Sequence, residues 1–97
     1  MEIKCKEIFF SGHAVRRMFQ RGLSTKEAKA AIELGEIIAA YPEDRPLPSY
    51  LMLYRINNRP IHVVVAVDSA NELCQVITSY IPEPAQWHED FKTRRKP

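Results

Sequence analysis

The spacing of hydrophobic positions changes twice along this chain. Over residues 2–10 the apolar residues Ile3, Cys5, Ile8 and Phe9 alternate loosely, which predicts a strand or an extended arm. Over residues 11–22 the spacing lengthens to that of a helix. Ala14, Val15, Met18 and Phe19 make an apolar stripe, and His13, Arg16, Arg17, Gln20 and Arg21 make a polar one. Ser11 is a suitable N-cap, and Gly22 supplies a left-handed stop. Ser24-Thr-Lys-Glu27 matches a capping box, in which serine and glutamate each satisfy the other's orphan amide. A second helix then runs to about Leu34, is ended by Gly35, and buries Ala28, Ala31 and Ile32. The link between the helices is very short, so they form a helix-turn-helix in the geometric sense only.

After Gly35 the period drops to two, which predicts strands over residues 36–41, 50–56, 61–68 and 73–81. Pro42, Pro46 and Pro48 lack amide donors and fix φ, so residues 42–48 form a stiff loop. Asn57-Asn58 suits a two-residue hairpin turn, and residues 69–72 turn the chain again. Pro82 stops the last strand, and Pro84 opens a short C-terminal helix holding Trp87 and Phe91. The predicted fold is α+β, a single domain over residues 1–97. Two N-terminal helices pack on a four-stranded antiparallel sheet, followed by a short C-terminal helix.

Composition is ordinary for a globular chain, with 45% hydrophobic and 27% charged residues. No apolar run approaches the roughly 20 residues of a membrane span. The first residues lack the apolar segment of a signal peptide, so a cytoplasmic protein is expected. Cys5 and Cys74 are too few for a disulfide framework and read as reduced packing residues. The net charge of +2 hides a local bias. No acid stands between Ile8 and Lys26, whereas Arg16, Arg17, Arg21 and Lys26 do, and Lys92, Arg94, Arg95 and Lys96 crowd the end. Clustered positive charge attracts polyanions, although a basic terminus can equally be a solvated tail.

Within this pattern His13, Arg17 and Arg21 form one column, because residues four apart stack on a helix face. The positive helix N-terminus and the nearby arginines disfavour imidazolium, so His13 is expected neutral and able to act as a base. Arginine matches phosphate oxygens with a planar fork. An ordinary solvated helix face presents the same residues. His62 sits mid-strand among valines. Counting across Asn57-Asn58 places it opposite Leu53, and the next turn places it opposite Ser79 or, with a bulge, Thr78. That parity decides whether Thr78 or Tyr80 can offer a hydroxyl beside His62. Trp87 is a packing anchor or a stacking platform for a nucleobase. Scattered histidines and the absence of a phosphate-cradling glycine loop give no support for a metal or nucleotide cofactor.

Together, His13-Ala14, Arg17-Met18, Arg21-Gly22-Leu23-Ser24, Tyr41-Pro42, Pro60-Ile61-His62-Val63-Val64, Ile77-Thr78-Ser79-Tyr80-Ile81-Pro82 and Trp87 make a pattern covering nearly the whole chain. It resembles the family catalogued as domain of unknown function 4258. The resemblance implies a small, mostly bacterial protein similar to the barnase and RelE-like group of metal-independent ribonucleases and toxins. By that analogy His13, Arg17, Arg21, His62, Thr78 and Tyr80 are the catalytic candidates. Arg16, Lys26, Trp87, Arg94 and Arg95 are candidates for holding nucleic acid. Fold-level analogy does not fix function. Two expectations follow: an endoribonuclease of toxin type paired with an antitoxin protein, or a non-catalytic module that binds nucleic acid or protein. The open edges of a small sheet also leave room for a dimer.

Overall fold

The computed structural model describes residues 3–96. Seven elements follow in order: β1 (Glu7–Phe10), α1 (Gly12–Gln20), α2 (Thr25–Leu34), β2 (Glu36–Tyr41), β3 (Ser49–Ile56), β4 (Arg59–Asp68) and β5 (Leu73–Tyr80). The local signals form as the residues dictate. Ser11 Oγ accepts from the Ala14 amide at 3.0 Å, and both bonds of the Ser24–Glu27 capping box are made. Gly22 has a φ of 71°, and Asn57 and Asn58 sit at 52° and 67°, as a tight hairpin turn requires.

The sheet is five-stranded, in the order β1-β5-β4-β3-β2. Strands β2 to β5 form an antiparallel meander, and β1 runs parallel to β5, with Glu7 opposite Leu73 and Phe10 opposite Val76. This mixed sheet corrects the expected four-stranded antiparallel one. The N-terminal strand was visible in the sequence, but its partner lies at the far end of the chain. No turn or local spacing marks such a parallel pair.

The expected C-terminal helix does not form among the described residues either. Residues beyond Pro84 fold back as a compact strap. Asp90 Oδ1 accepts from the amides of Lys92 and Thr93 at 2.9 and 3.1 Å. The His88 amide donates to Thr93, and that of Arg95 to Gln86. Trp87 and Phe91 are spaced as in a helix, but a carboxylate that captures nearby amides competes with the helical ladder.

One sheet face carries the core. Met18, Leu23, Ala28, Ala31 and Ile32 pack there against Met52, Ile61, Val63, Val65, Val67, Cys74 and Val76. Small residues let α2 lie close to the sheet. Gly35, which ends α2, is so near β3 that a Cβ there would stand 2.6 Å from the Leu53 carbonyl oxygen. Cys74 is joined to Cys5 in a disulfide, with 5.6 Å between the Cα atoms, so the two are not free packing residues. Their 69-residue separation conceals the pairing from a reading of the sequence.

Helix α1 is rotated relative to its expected stripe. Ala14 and Met18 are buried, but Val15 is exposed and Phe19 is 84% exposed. Arg21, expected on the polar side, turns inward to β5. Among the described residues no helix is long and apolar enough to cross a membrane.

The β4–β5 register departs from both expected alternatives. Asp68 pairs with Leu73 and Val65 with Val76, but Val64 pairs with Thr78, leaving Ile77 as an extra residue in β5. Four residues in the turn plus this bulge place Tyr80, not Ser79 or Thr78, opposite His62. Leu53 does lie opposite His62 on the other side.

Candidate functional site

Three segments meet where β5 runs past the end of β1: the C-terminus of α1, the bulged end of β5, and the strap. His62 alternates along β4 with the core residues Ile61 and Val63, so it lies on the other face of the sheet, fully buried against Tyr80, Trp87 and the Phe91 carbonyl of the strap. Its Nε2 stands 2.7 Å from the Phe91 carbonyl oxygen and its Nδ1 3.3 Å from the Tyr80 hydroxyl. A carbonyl can only accept, so Nε2 carries the ring proton. Nδ1 must then accept, and the Tyr80 hydroxyl donates to it. The Trp87 ring stands perpendicular to the imidazole, with centroids 4.5 Å apart. Burial pushes the His62 pKa down; the Phe91 carbonyl opposes this, and the charge of Arg94 adds to it. His62 is therefore a neutral, fully engaged ring that holds Tyr80 in place.

Phe91 reaches His62 from a left-handed backbone, with a φ of 56°. A bulky residue rarely adopts this conformation, and such strain persists only where the surroundings enforce it. Here the Asp90 bonds on one side and the stacking of Arg55 on the Phe91 ring, 5.5 Å from its centroid, enforce it.

Tyr80 is partly buried, and burial pushes its pKa up. Tyr41 adds to that push, whereas Arg94 and Arg21 pull it down. Arg21 Nη1 donates to Thr78 Oγ1 at 3.2 Å and to the Ser79 carbonyl at 2.9 Å. These bonds satisfy a strand edge that β1 does not reach, and they fix a guanidinium beside a phenol. An open pocket of about 400 Å³ lies against the pair, lined by Arg21, Tyr80, Ile81, Glu83 and Gln86. A larger cleft of about 480 Å³, whose walls include Ile32, Ile37, Tyr50 and Met52, shares none of these residues and holds neither arginine nor histidine.

The structure thus brings Arg21, Thr78, Tyr80 and His62 together. His13 and Arg17 are exposed on α1 and do not line the pocket, and neither do Arg16 and Lys26. His13 precedes Arg21 by eight residues, about 12 Å along a helix axis. Trp87 is buried, 4% exposed, against His62, and the Arg94 guanidinium lies over its ring, 5.3 Å from the centroid. Arg95 Nε donates to the Pro84 carbonyl and ties the strap to itself. Sequence reasoning passed over Glu83, Gln86 and the Phe91 carbonyl. The Pro82-Glu83-Pro84 triplet is the one signal that marks a pinned position there. Among the described residues no three His, Cys, Asp or Glu side chains cluster as a metal ion requires.

No curated protein and no solved structure matches this chain in the comparisons made. The model of the domain of unknown function DUF4258 matches residues 10–81, a span that includes α1, α2, the meander and the bulged end of β5. It contains Arg21, His62, Thr78 and Tyr80 and stops short of Glu83 and the strap. The chain therefore belongs to the DUF4258 family.

Proposed function

We propose that the Arg21–Tyr80 pocket binds the phosphodiester of an RNA strand and cleaves it without a metal ion. The observation that supports this is the guanidinium of Arg21, locked by Thr78 and Ser79 beside the Tyr80 hydroxyl in an open pocket. Arginine offers two parallel donors to phosphate oxygens and carries charge into the transition state. Arg94, close enough to influence both His62 and Tyr80, adds positive potential. In this reaction the RNA 2′-oxygen attacks phosphorus and the bond to the 5′-oxygen breaks. The Tyr80 hydroxyl turns from His62 toward the departing oxygen and protonates it. An arginine and a hydroxyl residue are two of the groups expected of a barnase or RelE-like ribonuclease, the catalytic histidine being the third, and that kinship is part of the proposal.

A second proposal, binding without cleavage, draws support from His62. Both its ring nitrogens are engaged and neither His13 nor His88 lines the pocket, so no histidine is free there to take a proton. A cleavage assay separates the two. With mixed-sequence transcripts and a chelator present, the purified protein is expected to release fragments ending in 2′,3′-cyclic phosphate. RNA that is bound but left intact would reject cleavage in favour of binding alone.

A further inference from the structure

If the pocket cleaves RNA it needs a proton acceptor, and the histidines do not supply one. We infer that Glu83 is that acceptor, an inference that rests on the ribonuclease reading.

Glu83 is the only acid lining the pocket among the described residues. Its neighbours there are Arg21 and Tyr80, the two groups assigned to the phosphate and the leaving oxygen. Its backbone is held on three counts. Pro82 before it is fully buried, Pro84 after it restricts its φ and ψ, and its carbonyl accepts from the amides of Gln86 and Trp87 at 2.9 and 3.2 Å. Among the described residues its carboxylate has no hydrogen-bond or ion-pair partner. A carboxylate facing a pocket built for an anion works against binding that anion. Its placement is accounted for if it accepts a proton from a neutral group of the same ligand.

The chemistry balances with the groups present. The 2′-O–H bond breaks and its proton passes to a Glu83 carboxylate oxygen. The 2′-oxygen forms a bond to phosphorus, and the bond from phosphorus to the 5′-oxygen breaks. The departing oxygen takes the Tyr80 phenolic proton. Solvent then removes the proton from Glu83 and returns one to Tyr80, so no net proton is consumed in forming the cyclic phosphate. Arg21 lines the same pocket as the two proton-transfer groups and carries the growing phosphoryl charge.

The test compares wild type with Glu83→Gln and Glu83→Asp on a long mixed-sequence RNA in chelator, with folding checked by thermal melting. Glu83→Gln is expected to lower kcat/KM about 10²- to 10⁴-fold, the size of a lost general base, while RNA affinity stays level or rises. Glu83→Asp is expected to restore part of the rate. Undiminished cleavage by Glu83→Gln, with wild type active, would overturn the role of Glu83 and leave the ribonuclease proposal standing. No cleavage by wild type would overturn both. A fall in affinity equal to the fall in rate would make Glu83 a binding residue and also reject the inference.

Discussion

Arg21 and Thr78 are 57 residues apart in the sequence and 3.2 Å apart across the uncovered edge of β5. One guanidinium thereby closes a strand edge and faces a pocket, so its removal should register in two independent measurements. Arg21→Ala is expected to lower the salt slope of RNA binding by about one unit, as loss of one phosphate contact does. It should also cost about 1 kcal/mol of stability, because the Ser79 carbonyl loses its donor. Binding isotherms over a salt series and a denaturant melt read the two effects. An unchanged slope would remove Arg21 from the binding surface.

Tyr80→Phe keeps the ring and deletes the hydroxyl. Cleavage is expected to fall about 10²- to 10⁴-fold with little change in RNA affinity, since a proton donor acts in the transition state. The His62 Nδ1 loses its donor, which should cost about 1 kcal/mol, a shift of roughly 4–8 °C in Tm for a domain of this size. Equal cleavage by the Phe variant would assign the leaving-group proton elsewhere.

His62 makes stability depend on pH in a definite direction. Burial holds its pKa in the folded protein below the ordinary value of about 6.5, so the unfolded chain takes up the proton first as pH falls. Its contribution is complete above about pH 6.5 and is lost as pH drops from there through the lower folded-state pKa. The urea midpoint of wild type should therefore fall between about pH 7 and about pH 5 more steeply than that of His62→Gln. Parallel curves for the two proteins would contradict the assignment.

The disulfide should contribute to stability chiefly by restricting the unfolded chain. Closing a loop of 69 residues is worth about 4 kcal/mol in the chain-entropy model. Cys5→Ser with Cys74→Ser is expected to lower the denaturant midpoint correspondingly. Amide exchange should quicken over β1, which pairs with β5 at the sheet edge. Unaltered protection at residues 7–10 would show that strand pairing alone holds β1.

What the sequence disclosed was local. The Ser24–Glu27 box, the Asn57-Asn58 turn and the pairing of Leu53 with His62 all depend on residues close together, and all form as read. What it concealed depends on distance or on a single unpatterned residue. The partner of β1 lies 66 positions away, at Leu73 for Glu7. The extra residue in β5 has no marker, because Ile77 is an ordinary strand residue. The inward turn of Arg21 could not be inferred from helical spacing, since a charged side chain was assigned to solvent and an exposed Phe19 to the core. The site was therefore half legible. Arg21, His62, Thr78 and Tyr80 were named, but Glu83 and the Phe91 carbonyl come from a strap that read as a helix.

The Cys5–Cys74 bond has a topological consequence for the pocket. It makes a covalent ring of residues 5–74, which holds β1, both helices, β2, β3 and β4. Arg21 and His62 belong to that ring, whereas Thr78, Tyr80, Glu83, Gln86 and Phe91 all lie on the free end that leaves it. The pocket is a seam between the two, stitched by Arg21 to Thr78 and Ser79 and by His62 to Tyr80 and Phe91. Unzipping that end dismantles the pocket and leaves the ring intact, so the ring can outlast the site it supports.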